Sequence, residues 1–322
     1  MAQVVGSLYA SHGLFVALPP EEWAEKSKNR KYRSDVPSES FEEKVDKYDR
    51  TMRALAVLEE QLRAMNPDVL LIVGDDQHEN FDFSNYPALS VFVGEEFSGP
   101  DNQTRGKPDL YHKVPGHPGL AVAVLRGLLD RGFDPAFSMS DSNPERGMCH
   151  AVMRPLEFFH TYEIPVVPVL VNAYYPPQLS AVRCHKIGKA VREAIDAYPE
   201  DLRVVVVGSG GLWHTPGRPN SYLDEKLDQV MIDHLLKGDV LGMAEQFDAY
   251  RVPEGDESQD VSPGVPGMTG MPGVSGPQGG TRETCNWIGA AAIVDGSPHQ
   301  LVDYIAIYSS PIGTAYAYCN EV

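Results

Sequence analysis

Four consecutive valines, residues 204–207, run directly into Gly208-Ser-Gly-Gly-Leu-Trp-His214. An unbroken β-branched run has no polar face to turn toward water, so it predicts a strand buried on both sides. That requirement points to helices packed on both faces of a sheet, an α/β architecture. The glycines that follow permit a sharp turn and a close approach to other groups. A histidine on such a turn, at the end of a buried strand, stands where α/β enzymes place catalytic groups. The same pattern also suits a capped turn with a solvated imidazole, and the stretch alone does not choose between them.

The rest of the chain repeats the theme. Residues 4–9 read as a strand running into Ser11-His12, and residues 68–74 as a second strand running into Asp75-Asp76-Gln77-His78-Glu79-Asn80. Residues 89–93 and 164–171 read as further strands. Phe41, Val45, Tyr48, Met52, Leu55, Leu58 and Leu62 recur at spacings of three and four, the mark of an amphipathic helix, which Asn66-Pro67 ends. Helices are also expected at residues 117–131, 181–198, 224–247 and 283–292. Residues 304–308 read as a last strand, and residues 312–315 as the opening of a final helix. Residues 19–37 read as a loop or a solvated helix face. Residues 253–280 are rich in proline and glycine, with glycine at every third position from 264 to 279. That stretch is too short for a triple helix and predicts a mobile loop or lid. No linker divides the chain. The expected fold is one α/β domain over residues 1–322: a mostly mixed central sheet flanked by helices, with the active site at the strand ends.

A formal net charge of −18 disfavours nucleic acid and anionic membrane as partners. No apolar run reaches the roughly 18 residues of a membrane-spanning helix, and the N-terminus carries no basic, apolar leader. Cys149, Cys184, Cys285 and Cys319 form no CxxC pair, which fits a reducing cytoplasm better than a zinc knuckle or a disulfide framework.

Histidines and carboxylates sit where strands end: His12, Gln77 and His78, His214, and then Glu283 at a helix start. Two nitrogen ligands and one carboxylate with open positions make the facial set that binds non-haem Fe(II). Ten histidines in 322 residues would permit some such triad by chance. The order and context of these residues, however, resemble the class III extradiol ring-cleaving dioxygenases, the family of the catalytic β-subunit of protocatechuate 4,5-dioxygenase. The resemblance covers nearly the whole chain. It lies in Ser11-His12, in Pro67-Asp-Val-Leu-Leu-Ile-Val with its polar cluster, in Val114-Pro-Gly-His117-Pro-Gly, in His150 ahead of Pro155-Leu156, and in Val171-Asn172 with Tyr175-Pro-Pro177. Arg183-Cys184, Gly208-x-Gly-Gly-x-x-His214 and Glu283-x-x-x-Trp287 complete it.

That resemblance implies one Fe(II) per site, held by His12, Glu283 and either His78 or Gln77. The family's second ligand follows its strand as Asp-His; ungapped, that histidine falls on Gln77, with His78 one residue late. It further implies His214 as acid/base, with His117, His150 and Thr314 toward the substrate. Protocatechuate-cleaving relatives carry Ser-Asn-Thr-Ala where this chain has Ile312-Gly313-Thr314-Ala315. A carboxylate contact is thereby lost, and the expected substrate is a differently substituted or bulkier catechol, opened by O2 beside its vicinal diol in aromatic catabolism. Asp76 is expected to orient a ligand, and Tyr174 to lie in the core. The family also implies a homo-oligomer. The rival readings are a non-catalytic scaffold and a metal-dependent hydrolase on the same fold.

Overall fold

The structure, a computed structural model, describes residues 1–101, 111–141, 143, 145–215, 217–254, 256, 271 and 273–322. Most of the glycine- and proline-rich stretch, residues 257–270 and 272, therefore lies outside the described residues, and so does the lid expected there.

The strands β1 (Gln3–Ala10), β2 (Val69–Gly74), β3 (Leu89–Phe92), β6 (Ala136–Ser138), β7 (Val166–Val171), β8 (Arg203–Ser209), β9 (Gln300–Ile307) and β10 (Ile312–Cys319) form one eight-stranded sheet. Its order is β6-β3-β7-β2-β8-β1-β10-β9. The four central strands β7, β2, β8 and β1 are parallel. On the two flanks β3 runs antiparallel to β7, and β10 antiparallel to β1. β4 (Glu96–Pro100) and β5 (Tyr111–Pro115) form a separate antiparallel pair. No helix among the described residues is long and apolar enough to cross a membrane.

Alternation along the central strands divides the core in two, because successive side chains leave opposite faces. Val69, Leu71 and Val73 with Val204 and Val206 join one cluster, while Leu70 and Ile72 with Val205 and Val207 join the other. Short helices α1 (Leu14–Ala17) and α2 (Pro20–Ser27), the long α3 (Phe41–Met65) and α5 (His150–Phe158) serve the second cluster. α4 (Pro118–Asp130), α6 (Ala181–Asp196), α7 (Glu225–Leu236), α8 (Val240–Ala249) and α9 (Thr284–Ile293) cover the first. α3 starts at a capping box: the Ser40 hydroxyl accepts from the Glu43 amide (3.1 Å), and the Glu43 carboxylate accepts from the Ser40 amide (2.7 Å). It ends where Asn66 turns left-handed at φ 46°, just before Pro67.

Three local expectations are corrected. Residues 312–315 open a strand rather than a helix, because they pair antiparallel with β9 across a tight turn. Residues 224–247 make two helices, broken where Gly238 takes φ +68° and the Asp239 side chain caps the next helix by accepting from the Gly242 amide. Within residues 19–37, α2 buries Trp23 completely.

Candidate active site

The parallel strands deliver their C-terminal ends to one edge, where open α/β sheets bind ligands. Ala10 at the end of β1 stands beside Ser209 at the end of β8, and Val73 of β2 beside Gly208. His12 thus emerges next to Ser209, and the two share a 2.8 Å hydrogen bond through His12 Nδ1. This leaves His12 Nε2 with no hydrogen bond, buried, and 3.0 Å from Glu283 Oε2. Burial, the largest influence, holds the His12 imidazole down at about 4, so it is neutral near pH 7 and has a lone pair to offer a metal.

Glu283 closes the 3-10 turn Gly279–Glu283 at the head of α9, where the helix N-terminus favours negative charge. Its Oε2 accepts from the Gly211 amide (3.2 Å), and its Oε1 lies 3.0 Å from His214 Nε2 and accepts from Gln77 Nε2 at 2.7 Å. Burial pushes the Glu283 carboxyl up, but the two imidazoles outweigh it and hold it well below its usual range. Three and four residues further on, on the same helix face, Asn286 donates to Asp75 Oδ1 (2.8 Å) and the Ser209 carbonyl (2.8 Å), and Trp287 Nε1 donates to the Gly210 carbonyl (2.7 Å). α9 therefore pins the glycine turn after β8 as well as supplying the carboxylate. Gly210 is needed here: its φ is +116°, and a Cβ would come within 2.7 Å of Glu283 Oε2.

His214 is buried. Its Nδ1 lies 3.1 Å from the Leu212 carbonyl, and its backbone amide donates to Thr281 Oγ1 (3.1 Å). Burial lowers its basicity, yet the charge and hydrogen bond of Glu283 prevail and the net shift is upward. Gly280 packs directly on the ring, and any side chain there would collide with Nε2. His150 opens α5 with its ring 4.5 Å from that of His12, edge to face, and its Nδ1 2.6 Å from Glu79 Oε2. There too burial is outweighed, by Glu79, and the imidazole is shifted up.

The loop after β2 sorts its four polar side chains in a way adjacent residues do not reveal. Asp75 is fully buried and faces His12 and Glu283; one ligand atom from each of the three lies within 4.8 Å of the others. Burial first, then the charge of Glu283, raises the Asp75 carboxyl to about 7. Asp76, expected to orient a ligand, instead organises the loop, accepting from the backbone amides of His78, Asn80 and Phe81. Gln77 reaches Glu283. His78 takes a left-handed backbone, φ +69°, and its ring stands edge to face against Phe83 (4.1 Å) and Tyr175 (4.9 Å), away from that carboxylate.

Two further expectations fall outside the cluster. His117 caps α4 by accepting from the Leu120 amide (3.1 Å). Gly116 beside it bridges to Val166, the first residue of β7, so His117 sits at the opposite end of the sheet from the site. Thr314 is fully buried, and its hydroxyl donates to the Ile305 carbonyl on β9 (3.0 Å). Residues that sequence reasoning missed include Ser209, Asn286 and the aromatic group of Phe83, Tyr86 and Tyr175. Tyr174, expected in the core, is half-buried and packs on Tyr175 at 4.7 Å. The one available signal was periodic: Asn286 and Trp287 lie three and four residues after Glu283, on its face of the helix.

Residues 36–261 match the family model described as the catalytic LigB subunit of aromatic ring-opening dioxygenase. A gallate dioxygenase of Pseudomonas putida is 33% identical over 109 residues, 34% of this chain and 32% of that protein. A 2,3-dihydroxyphenylpropionate/2,3-dihydroxicinnamic acid 1,2-dioxygenase of Mycobacterium ulcerans is 30% identical over 178 residues, 55% of this chain and 53% of that protein. The protein of the same name in Escherichia coli is 28% identical over 186 residues, 56% and 54% of the two chains. The matches thus span between a third and just over half the length of these relatives. Among solved structures, an uncharacterized protein of Escherichia coli K12 is similar in fold at a TM-score of 0.52 and 13% identity, over 98% of this chain and 99% of that one.

Proposed function

The chain belongs to the family of the catalytic LigB subunit of aromatic ring-opening dioxygenases, and we propose that it opens the ring of a catechol-type substrate with O2 beside the vicinal diol, using Fe(II). The observation that carries this reading is the meeting of His12, His214 and Glu283, each buried, at one sheet edge, with each imidazole Nε2 3.0 Å from a carboxylate oxygen of Glu283. The donor chemistry suits a metal: a neutral imidazole with a free nitrogen and a carboxylate, both held in orientation by neighbouring hydrogen bonds. Bound iron supplies a Lewis-acidic, redox-active centre that brings diol and O2 together. His12 and Glu283 hold it, with a third donor from the loop after β2.

His214 holds the proton that the diol gives up, at Nε2, and later returns one. Its Nδ1 is oriented by the Leu212 carbonyl, and imidazole, whose ordinary pKa lies near neutrality, is the side chain suited to both directions. His150, whose basicity the neighbouring Glu79 carboxylate raises, faces the substrate as a hydrogen-bonding group. Relatives named for gallate and 2,3-dihydroxyphenylpropionate support a diol-bearing aromatic substrate. His117 and Thr314 have no part in this reading.

Oxygen-electrode traces with Fe(II) and a panel of catechols, gallates and aminophenols test it. Uptake is expected with at least one compound, and His214→Ala should lower kcat by about 100-fold or more while substrate still binds. Silence across the panel with iron bound sinks the reading in favour of a scaffold; zinc with esterase or amidase turnover favours the hydrolase.

A further inference from the structure

We infer that the third metal donor is Asp75, which gives the site one imidazole and two carboxylates: His12, Asp75 and Glu283. The inference rests on the metal-dependent reading of this site and replaces both sequence alternatives for its third ligand.

Three observations converge. His12, Asp75 and Glu283 each aim one ligand atom into a volume in which all three lie within 4.8 Å of one another, and all are buried. His12 Nε2 makes no hydrogen bond there, because Nδ1 is the nitrogen engaged by Ser209. Asn286 grips Asp75 Oδ1 from α9, one turn beyond Glu283, so a single helix face fixes the spacing of the two carboxylates.

The neighbours exclude themselves by their own contacts. Gln77 turns its N–H groups toward the carboxylates, 2.7 Å from Glu283 Oε1 and 3.4 Å from Asp75 Oδ2. An amide that donates to two carboxylates orients ligands and does not bind the cation between them. His78 is carried by its left-handed backbone into the aromatic group with Phe83, Tyr86 and Tyr175. Two buried carboxylates at this spacing repel, and a cation between them removes that repulsion; the hydrogen bonds described for them come from amides and the His214 imidazole. Two carboxylates also cancel the charge of a divalent ion, where two imidazoles and one carboxylate leave it positive. Carboxylate-rich donor sets suit the harder Mn(II), which makes it a fitting probe of this site.

The test is a Mn(II) titration of the full, chelator-stripped chain, followed by electron paramagnetic resonance, on wild type, Asp75→Ala, Asp75→Asn, Gln77→Ala, His78→Ala and His12→Ala. Thermal melts confirm folding, and Asp75→Asn, which keeps an acceptor for Asn286, stands in if Asp75→Ala does not fold. Loss of Asp75 should weaken Mn(II) binding as far as loss of His12, by about 100-fold or more, whereas Gln77→Ala costs about tenfold. His78→Ala should bind as wild type, and added formate should restore part of the binding of Asp75→Ala. Mn(II) affinity in both Asp75 variants within about tenfold of wild type, or a loss in Gln77→Ala or His78→Ala matching that of His12→Ala, overturns the assignment. Mn(II) bound through Asp75 in a chain that consumes no O2 with any panel compound upholds the assignment and sinks ring cleavage. Wild-type oxygen uptake in Asp75→Ala does the reverse.

Discussion

Asp228 shows how much a single buried carboxyl can decide. It sits on α7, fully buried, with Oδ1 accepting from the Trp213 amide (2.8 Å) and Oδ2 from the Tyr304 hydroxyl (2.8 Å), against the bare Cα of Gly313. It thereby holds the backbone one residue before His214. Burial raises its carboxyl to about 8, against a value near 3.9 in the unfolded chain. The folded state then binds a proton that the unfolded state has released. The stability this contributes is complete below about pH 4 and is lost as pH rises toward about 8. Asp228→Asn keeps the shape and removes the titration, so its melting temperature should fall less than that of wild type between pH 5 and pH 8. Parallel slopes for the two proteins would show that Asp228 does not carry this proton. Residue identity told half of this story: an acid in an amphipathic helix was visible, but not that Tyr304 and Trp213, far off in sequence, would enclose it. The loop after β2 taught the same lesson. Asp75, Asp76, Gln77 and His78 are all plausible ligands by type, and only the turn geometry, with Asp76 collecting three backbone amides, decides which side chain faces inward.

Among the elements, α9 does the most positioning, and its seating depends on α6. A Cβ at Gly188 on α6 would collide with the Gly289 carbonyl and Ala292 of α9, so the two helices touch through bare backbone. Gly188→Ala should destabilise the protein by about 1–3 kcal/mol, as overpacking does. It should also loosen α9, which carries Glu283, Asn286 and Trp287. Thermal melts check the first effect, and an unchanged midpoint would mean the helices can part without cost. The central strands and α3 were legible because their signals are local: unbroken apolar runs and a three-four periodicity bounded by caps. β10 was not. Ile312-Gly-Thr-Ala has no strong preference of its own and becomes a strand by pairing with β9 and β1. His117 was misplaced for a related reason. Sequence reveals that a residue adjoins a strand or helix end, but which edge of the sheet that end occupies depends on strand direction in the assembled sheet.

At the scale of the whole molecule, the site draws on residues 12, 75, 214 and 283, brought together by a sheet whose first strand lies inside it. β1 is flanked by β8 and β10, both from the C-terminal half. A chain ending at residue 293 would lack β9 and β10 and leave β1 as an open edge, with Leu8, Tyr9 and Ala10 no longer enclosed. Such an edge recruits other strands, so this truncation should elute in size-exclusion chromatography as aggregate; a monomer with a wild-type melt would show that β10 is dispensable. The position of β1 also sets an order of events during synthesis. Both β8 and β10 must leave the ribosome before β1 has its two neighbours, so β1 emerges as a bare, apolar ribbon and waits, in need of shelter, for strands made long after it.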